Sequence, residues 1–179
     1  TVESVVETAL RLAKDGTRKA IEAVVAAARE LVTADDRHIQ QALRHAMEPF
    51  DTVKGDVDEI IREGGYPSQF HSIEEVPLAL GFLVFAQGDY KTAVLGAVNY
   101  GRDSDSIAGM VGAIIGTLKG KSGLPEKWVH EIRERNGIDF EATASRLCAL
   151  FERAYRVEHT RAQQRNQELL ALMGNEQHG

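Results

Sequence analysis

The stretch Tyr100-Gly101-Arg102-Asp103-Ser104-Asp105-Ser106 runs directly into a glycine-rich apolar segment, Ile107 to Gly120. Two carboxylates and a hydroxyl fall together where a helix should begin. Behind them Gly109, Gly112, Gly116 and Gly120 recur at helical spacing. Each interior glycine costs a helix roughly 1 kcal/mol against alanine, so three of them ask for about 3 kcal/mol of compensation. The usual source is another backbone packed against a face that lacks side chains. The segment is too long and too regular for a turn, and it lacks the alternation of a strand. It decides for a helical fold and puts the most ligand-like cluster of the chain at a helix start.

Helical signals continue on both sides. Upstream, Ser72-Ile73-Glu74-Glu75 reads as a capping box, with Ser72 at the cap and Glu75 three residues on. The helix behind it, Ile73–Ala86, is almost wholly apolar after Pro77 and is expected to be central. Gly88-Asp89 breaks and recaps the chain for a helix over Tyr90–Asn99. Nearer the start, Val2–Lys14 has the rhythm of an amphipathic helix, and Asp15-Gly16 is expected to stop it. Thr17 is expected to cap a helix over Arg18–Val32, and Asp35 or Asp36 one that runs to about Glu48. A short helix is expected over Val57–Arg62, then a loop over Tyr66–His71. Downstream, Pro125 starts a helix that Asn136-Gly137 ends, and Phe140 to about Met173 is one long or two broken helices. Residues 174–179 are expected to fray. No segment alternates like a strand, so the chain reads as a single all-α domain of about eight to ten helices, counted from these signals.

Composition narrows the function. The chain has 179 residues with 43% hydrophobic and 27% charged, enough for a real core. Its net charge is −6 and it has no Lys/Arg stripe, which argues against a nucleic-acid surface. No apolar run reaches the roughly 18–20 residues of a membrane span. The single cysteine, Cys148, excludes an internal disulfide and is expected to fill core space. That usage suits a reducing, cytoplasmic setting. Thr1 could act as an N-terminal nucleophile, but no partner motif accompanies it.

Asp103, Asp105 and Ser106 offer only oxygen donors, the type that a hard cation such as magnesium takes. From the residues alone, Asp103 reads equally as an N-cap, with Asp105 and Ser106 favouring the helix dipole. His71, Tyr66 and Phe70, in the loop before Ser72, are candidates for contact with a polar or aromatic ligand. Otherwise they tie that loop to the core. Arg102 is placed to meet a phosphate or to pair with a carboxylate. Trp128 reads as core, and His38, His45, His130 and His159 as surface residues without ligand spacing.

The run Ala97-Val98-Asn99-Tyr100-Gly101-Arg102-Asp103-Ser104-Asp105-Ser106-Ile107-Ala108, with Gly112-Ala113-Ile114-Ile115-Gly116 and Gly120, resembles the C-terminal signature of the ADP-ribosylglycohydrolases. That signature is a glycine, then Asp-x-Asp-Thr, then a helix of small residues. Glu75-Val76-Pro77-Leu78-Ala79-Leu80 with Gly88-Asp89-Tyr90 is similar to the helix pair that precedes the signature in the family. Leu124-Pro125 with Trp128 is similar to the family's proline and tryptophan after the small-residue helix.

The resemblance implies a compact, orthogonal all-α bundle with a binuclear magnesium centre. It implies hydrolysis of an N- or O-glycosidic bond to ADP-ribose or a related ribosyl nucleotide. By position, Asp103, Asp105 and Ser106 match the metal ligands, and Asp103 and Asp105 would be the catalytic carboxylates. Ser106 stands where the family has Thr; it keeps the hydroxyl and loses the rotamer restriction of the methyl. The family also carries a Gly-Asp-Ala-Leu-Gly-like and an Asp-Asp-Thr-like motif in its N-terminal half, and neither occurs in these residues. The expectation is therefore a C-terminal portion that shares its metals with an N-terminal portion on a separate or cleaved chain. The competing expectation is an inactive nucleotide-binding or helical interaction subunit.

Overall fold

A computed structural model of the chain describes residues 1–32, 36–50 and 72–175. Among the described residues there are eight α-helices and no strand, so the fold is all-α. The helices are α1 Val2–Leu12, α2 Asp15–Glu30, α3 Asp36–Met47, α4 Ser72–Phe85, α5 Tyr90–Val98, α6 Ser104–Lys119, α7 Glu126–Asn136 and α8 Phe140–Asn175. They gather into two compact units, Thr1–Glu126 and Lys127–Gly179. The helix expected over Val57–Arg62, the loop with Tyr66, Phe70 and His71, and the tail from residue 176 lie outside the described residues. No helix among the described residues is long and apolar enough to cross a membrane.

The first unit is built around α4. Leu78, Ala79, Leu80, Phe82 and Leu83 are each 2% exposed or less, because apolar residues on every side of this helix require cover on every side. From α2 the cover is Ala20, Ile21, Val24, Val25 and Ala28; from α3 it is Ile39, Leu43 and Met47. The third side is α6, which presents Ile107, Val111 and Ile115 at four-residue spacing. Each such side chain removed from water contributes about 1.5–3 kcal/mol before entropy is charged against it. Between α4 and α5 the chain turns at Gln87 and Gly88, both with positive φ. Asp89 then caps α5 by accepting from the Thr92 amide at 2.9 Å, as its place in the sequence suggests.

Three expectations change in this unit. The α1–α2 junction is shifted, since α2 begins at Asp15 and takes Gly16 into its first turn. Asp15 suits that position because a carboxylate favours the positive end of a helix. Arg18 closes the preceding turn instead, donating to the Ala13 carbonyl at 2.8 Å. The expected partner of the capping box also differs: the Glu75 side chain bonds to Asp103, while the Ser72 side chain lies outside the described residues.

The third change concerns the glycine face of α6, which meets neighbours only in part. A Cβ at Gly112 would lie 3.2 Å from Tyr90 Oη and 3.6 Å from Val94 Cγ2, whereas one at Gly109 would meet nothing within 4 Å. A closer approach between helices is made at Gly81 on α4, where a Cβ would sit 2.6 Å from Val24 Cγ1 and 3.1 Å from Leu43 Cδ1. Glycine spacing marks a helix that can be approached; packing decides where the approach occurs.

The second unit holds most of α7 and all of α8, a single unbroken helix. From Lys127 to Met173 no residue is buried. Cys148 is exposed, contrary to its expected core place, because the face of α8 that carries it has no cover among the described residues. Trp128, on α7, is half-buried rather than core. His130 and His159 are exposed, as expected, as are His38 and His45 in the first unit.

Candidate functional site

The acidic turn is set by the chain reversal between α5 and α6. Gly101 and Arg102 follow one another with φ of +82° and +56°, and this pair turns the chain from the end of α5 into the start of α6. Glycine adopts that region freely, but arginine in it costs about 1–3 kcal/mol and needs support. Just before the turn, Tyr100 is 2% exposed and meets Phe82 of α4 edge to face, with centroids 6.0 Å apart. The Arg44 side chain of α3 donates to the Tyr100 carbonyl at 2.8 Å and lies over its ring, 5.3 Å from the centroid. Burial raises the Tyr100 hydroxyl well above its usual range, so it stays a neutral donor.

Asp103 occupies the N-cap of α6, and its carbonyl accepts the Ile107 amide at 3.1 Å. The carboxylate makes no close cap bond, although the Ser106 amide helps to lower its pKa. It is turned towards Glu75 of α4 and the Ser106 hydroxyl, and the hydrogen bond from Glu75 is the main reason its pKa lies below normal. Glu75 moves the opposite way, up to about 7, first through burial, then through the bond to Asp103 and the charges of Asp103, Glu74 and Asp105. Below that pH Glu75 keeps its proton and donates it in a hydrogen bond to Asp103, as expected for crowded carboxylates that cannot all ionise.

Glu74, 5% exposed, faces the other side of the turn. Its Oε1 accepts from Arg102 Nε at 2.9 Å and from the Tyr100 hydroxyl at 3.4 Å. Arg102 is thus in the carboxylate pairing that was one of its two expected roles. Asp103, Asp105 and Ser106 share one turn of α6; Tyr66, Phe70 and His71 lie outside the described residues. Sequence reasoning did not single out Glu74, Glu75 or Arg44 as part of this site. The available signal was two acids at the mouth of a helix that is otherwise apolar, where a carboxylate must find a partner or keep its proton.

The donor set is wholly oxygen, with carboxylates in excess, and this chemistry fits a hard divalent cation. Among the described residues, no group of three or more His, Cys, Asp or Glu side chains is arranged to hold a metal ion. Asp103 is instead engaged with Glu75 and Ser106.

These residues define an all-α protein with an acidic oxygen-donor turn at the start of α6. More specifically, the ADP-ribosylglycohydrolase family profile matches residues 2–157, and the chain belongs to that family. An uncharacterized protein of Archaeoglobus fulgidus is 33% identical over 114 residues, covering 63% of this chain and 34% of the relative. The chain thus spans about a third of the length of that curated relative. No solved structure matches it. The family resemblance drawn from the acidic turn and its flanking helices is thereby sustained. The matched span contains the whole acidic turn and ends within α8.

Proposed function

We propose that the chain supplies the acidic turn of a magnesium-dependent ADP-ribosylglycohydrolase-type active site. The reaction is hydrolysis of the N- or O-glycosidic bond between ADP-ribose, or a related ribosyl nucleotide, and its leaving group. The observation that carries this reading is the placement of Asp103, Asp105 and Ser106 on one turn inside the family-matched span, with Glu75 brought against Asp103. In this reading those three side chains hold a divalent cation. Such a cation would supply Lewis acidity towards ribose hydroxyls and a bound water. Glu75 holds a proton against Asp103 and limits the negative charge of the turn when no cation is bound. The Glu74–Arg102 pair keeps the arginine head beside the turn, where phosphate oxygens of a nucleotide would find a cation.

The other half of the ligand set is assigned to family segments not contained in these 179 residues, on the same polypeptide or on a separate one. Such a partner would share two magnesium ions with this chain.

The test is turnover of ADP-ribosylated arginine and serine peptides with magnesium, using the chain together with those segments. Asp105→Ala should lower turnover by about a hundredfold, since even indirect partners of a metal are worth roughly 10–100-fold. Stability should move by no more than about 0.5 kcal/mol, as for an exposed position. Unchanged turnover would reject the metal role. Nucleotide binding without any hydrolysis would make the protein a binding subunit instead.

A further inference from the structure

Glu74 is an expensive residue to place where it is. A carboxylate taken almost wholly out of water costs several kcal/mol, which a single ion pair rarely recovers, and an apolar side chain of similar size would fill the space without that cost. What the carboxylate adds is direction. It reaches one side of the α5–α6 turn through Arg102 at 2.9 Å and the Tyr100 hydroxyl at 3.4 Å. Arg44 holds the same turn from α3 through the Tyr100 carbonyl at 2.8 Å. The segment so gripped contains Gly101 and the left-handed Arg102, and it leads directly into Asp103. Without a grip, Arg102 would relax from that conformation and shift the start of α6.

We propose that Glu74 is a positioning residue of the site: through Arg102 and Tyr100 it fixes the left-handed turn, and so sets where Asp103 and Asp105 stand. Glu75 and Glu74 then have separate tasks although they are neighbours. Glu75 touches the acidic turn directly, whereas Glu74 acts behind it. The link to cation binding rests on the proposed function; the link to the turn does not.

The experiment is a double-mutant cycle on the full chain with Glu74→Gln, Arg102→Met and both together. Amide hydrogen exchange over residues 100–106 and manganese affinity are read for each. Exchange in that segment should quicken about tenfold or more in each single variant, while exchange over α2 and the buried part of α4 stays as it was. Manganese should bind about tenfold more weakly in each, and the double variant should be no worse than either single one, because both break one device. Additive losses, or unchanged exchange over 100–106 in a folded Glu74→Gln protein, would overturn the proposal. If Glu74→Gln does not fold, Arg102→Met alone decides by the same exchange readout, since its side chain is 22% exposed and its loss is tolerable to the core. Should the wild-type chain bind no manganese even with the remaining family segments, the proposed function fails. The exchange result would still judge Glu74.

Discussion

Two apolar-rich helices, α4 and α8, meet opposite fates. In α4 every residue from Pro77 to Phe85 is buried. In α8 Leu147 is 61%, Leu150 62%, Phe151 71% and Tyr155 61% exposed. The difference is not hydrophobic content alone. α4 has apolar residues on all sides and a glycine at the point where α2 and α3 come closest, so that two helices can reach its backbone. α8 mixes its apolar positions with Glu152, Arg153, Arg156 and Glu158, and none of its described side chains is buried. Phe151, Tyr155 and His159 stack along one of its faces, with successive centroids 6.4 Å and 6.0 Å apart. Helices draw most of their stability from the surface they bury. The stability of the chain therefore resides in the first unit, together with the site that unit positions.

The sharpest way to break that assignment is a matched pair of truncations. Phe82→Ala should cost about 3–5 kcal/mol in denaturant unfolding, the usual loss for a buried phenylalanine. Phe151→Ala should change stability by less than about 0.5 kcal/mol. Equal losses would mean that α8 is covered as α4 is. The glycines give a second contrast of smaller size. Gly81→Ala forces a methyl against Val24 and Leu43 and should cost about 1–3 kcal/mol. Gly109→Ala has open space and should stabilise the chain by about 0.5–1 kcal/mol through helix propensity. A loss at Gly109 would show that something outside the described residues packs on α6.

A third effect is on pH. Folding raises the Glu75 pKa from 4.5 to about 7, so the folded state binds that proton more tightly than the unfolded state. Its contribution to stability is complete below 4.5, is lost as pH rises through about 7, and is constant above that. Asp103, held below 3.8, works in the opposite sense and loses its contribution only in stronger acid. Wild-type stability should therefore decline between pH 4.5 and about 7 relative to Glu75→Gln, whose amide needs no proton to donate to Asp103. Parallel stability curves for the two proteins would show that Glu75 does not titrate with folding.

Much of the first unit was legible because its signals are local. Asp89 caps α5 as a capping aspartate should, and the apolar run after Pro77 could be nothing but a buried helix. The acidic turn was legible as a cluster and, through its family resemblance, as a candidate ligand set. Its surroundings were not, because they depend on tertiary pairing. Glu75 looked like a local capping partner until α4 and α6 were set side by side. Arg44 lies far from Tyr100 in sequence, and only the α3 packing brings the two together. Cys148 and Trp128 were misjudged for the converse reason: an apolar neighbourhood in sequence says nothing about whether another element covers it.

The most direct measurement is a manganese titration, by calorimetry or electron paramagnetic resonance, of the wild-type protein and Asp105→Ala together with the remaining family segments. The result expected is saturable binding to the wild type that weakens by about tenfold or more in the variant. Equal affinity in the two proteins would contradict the assignment of this turn to the metal.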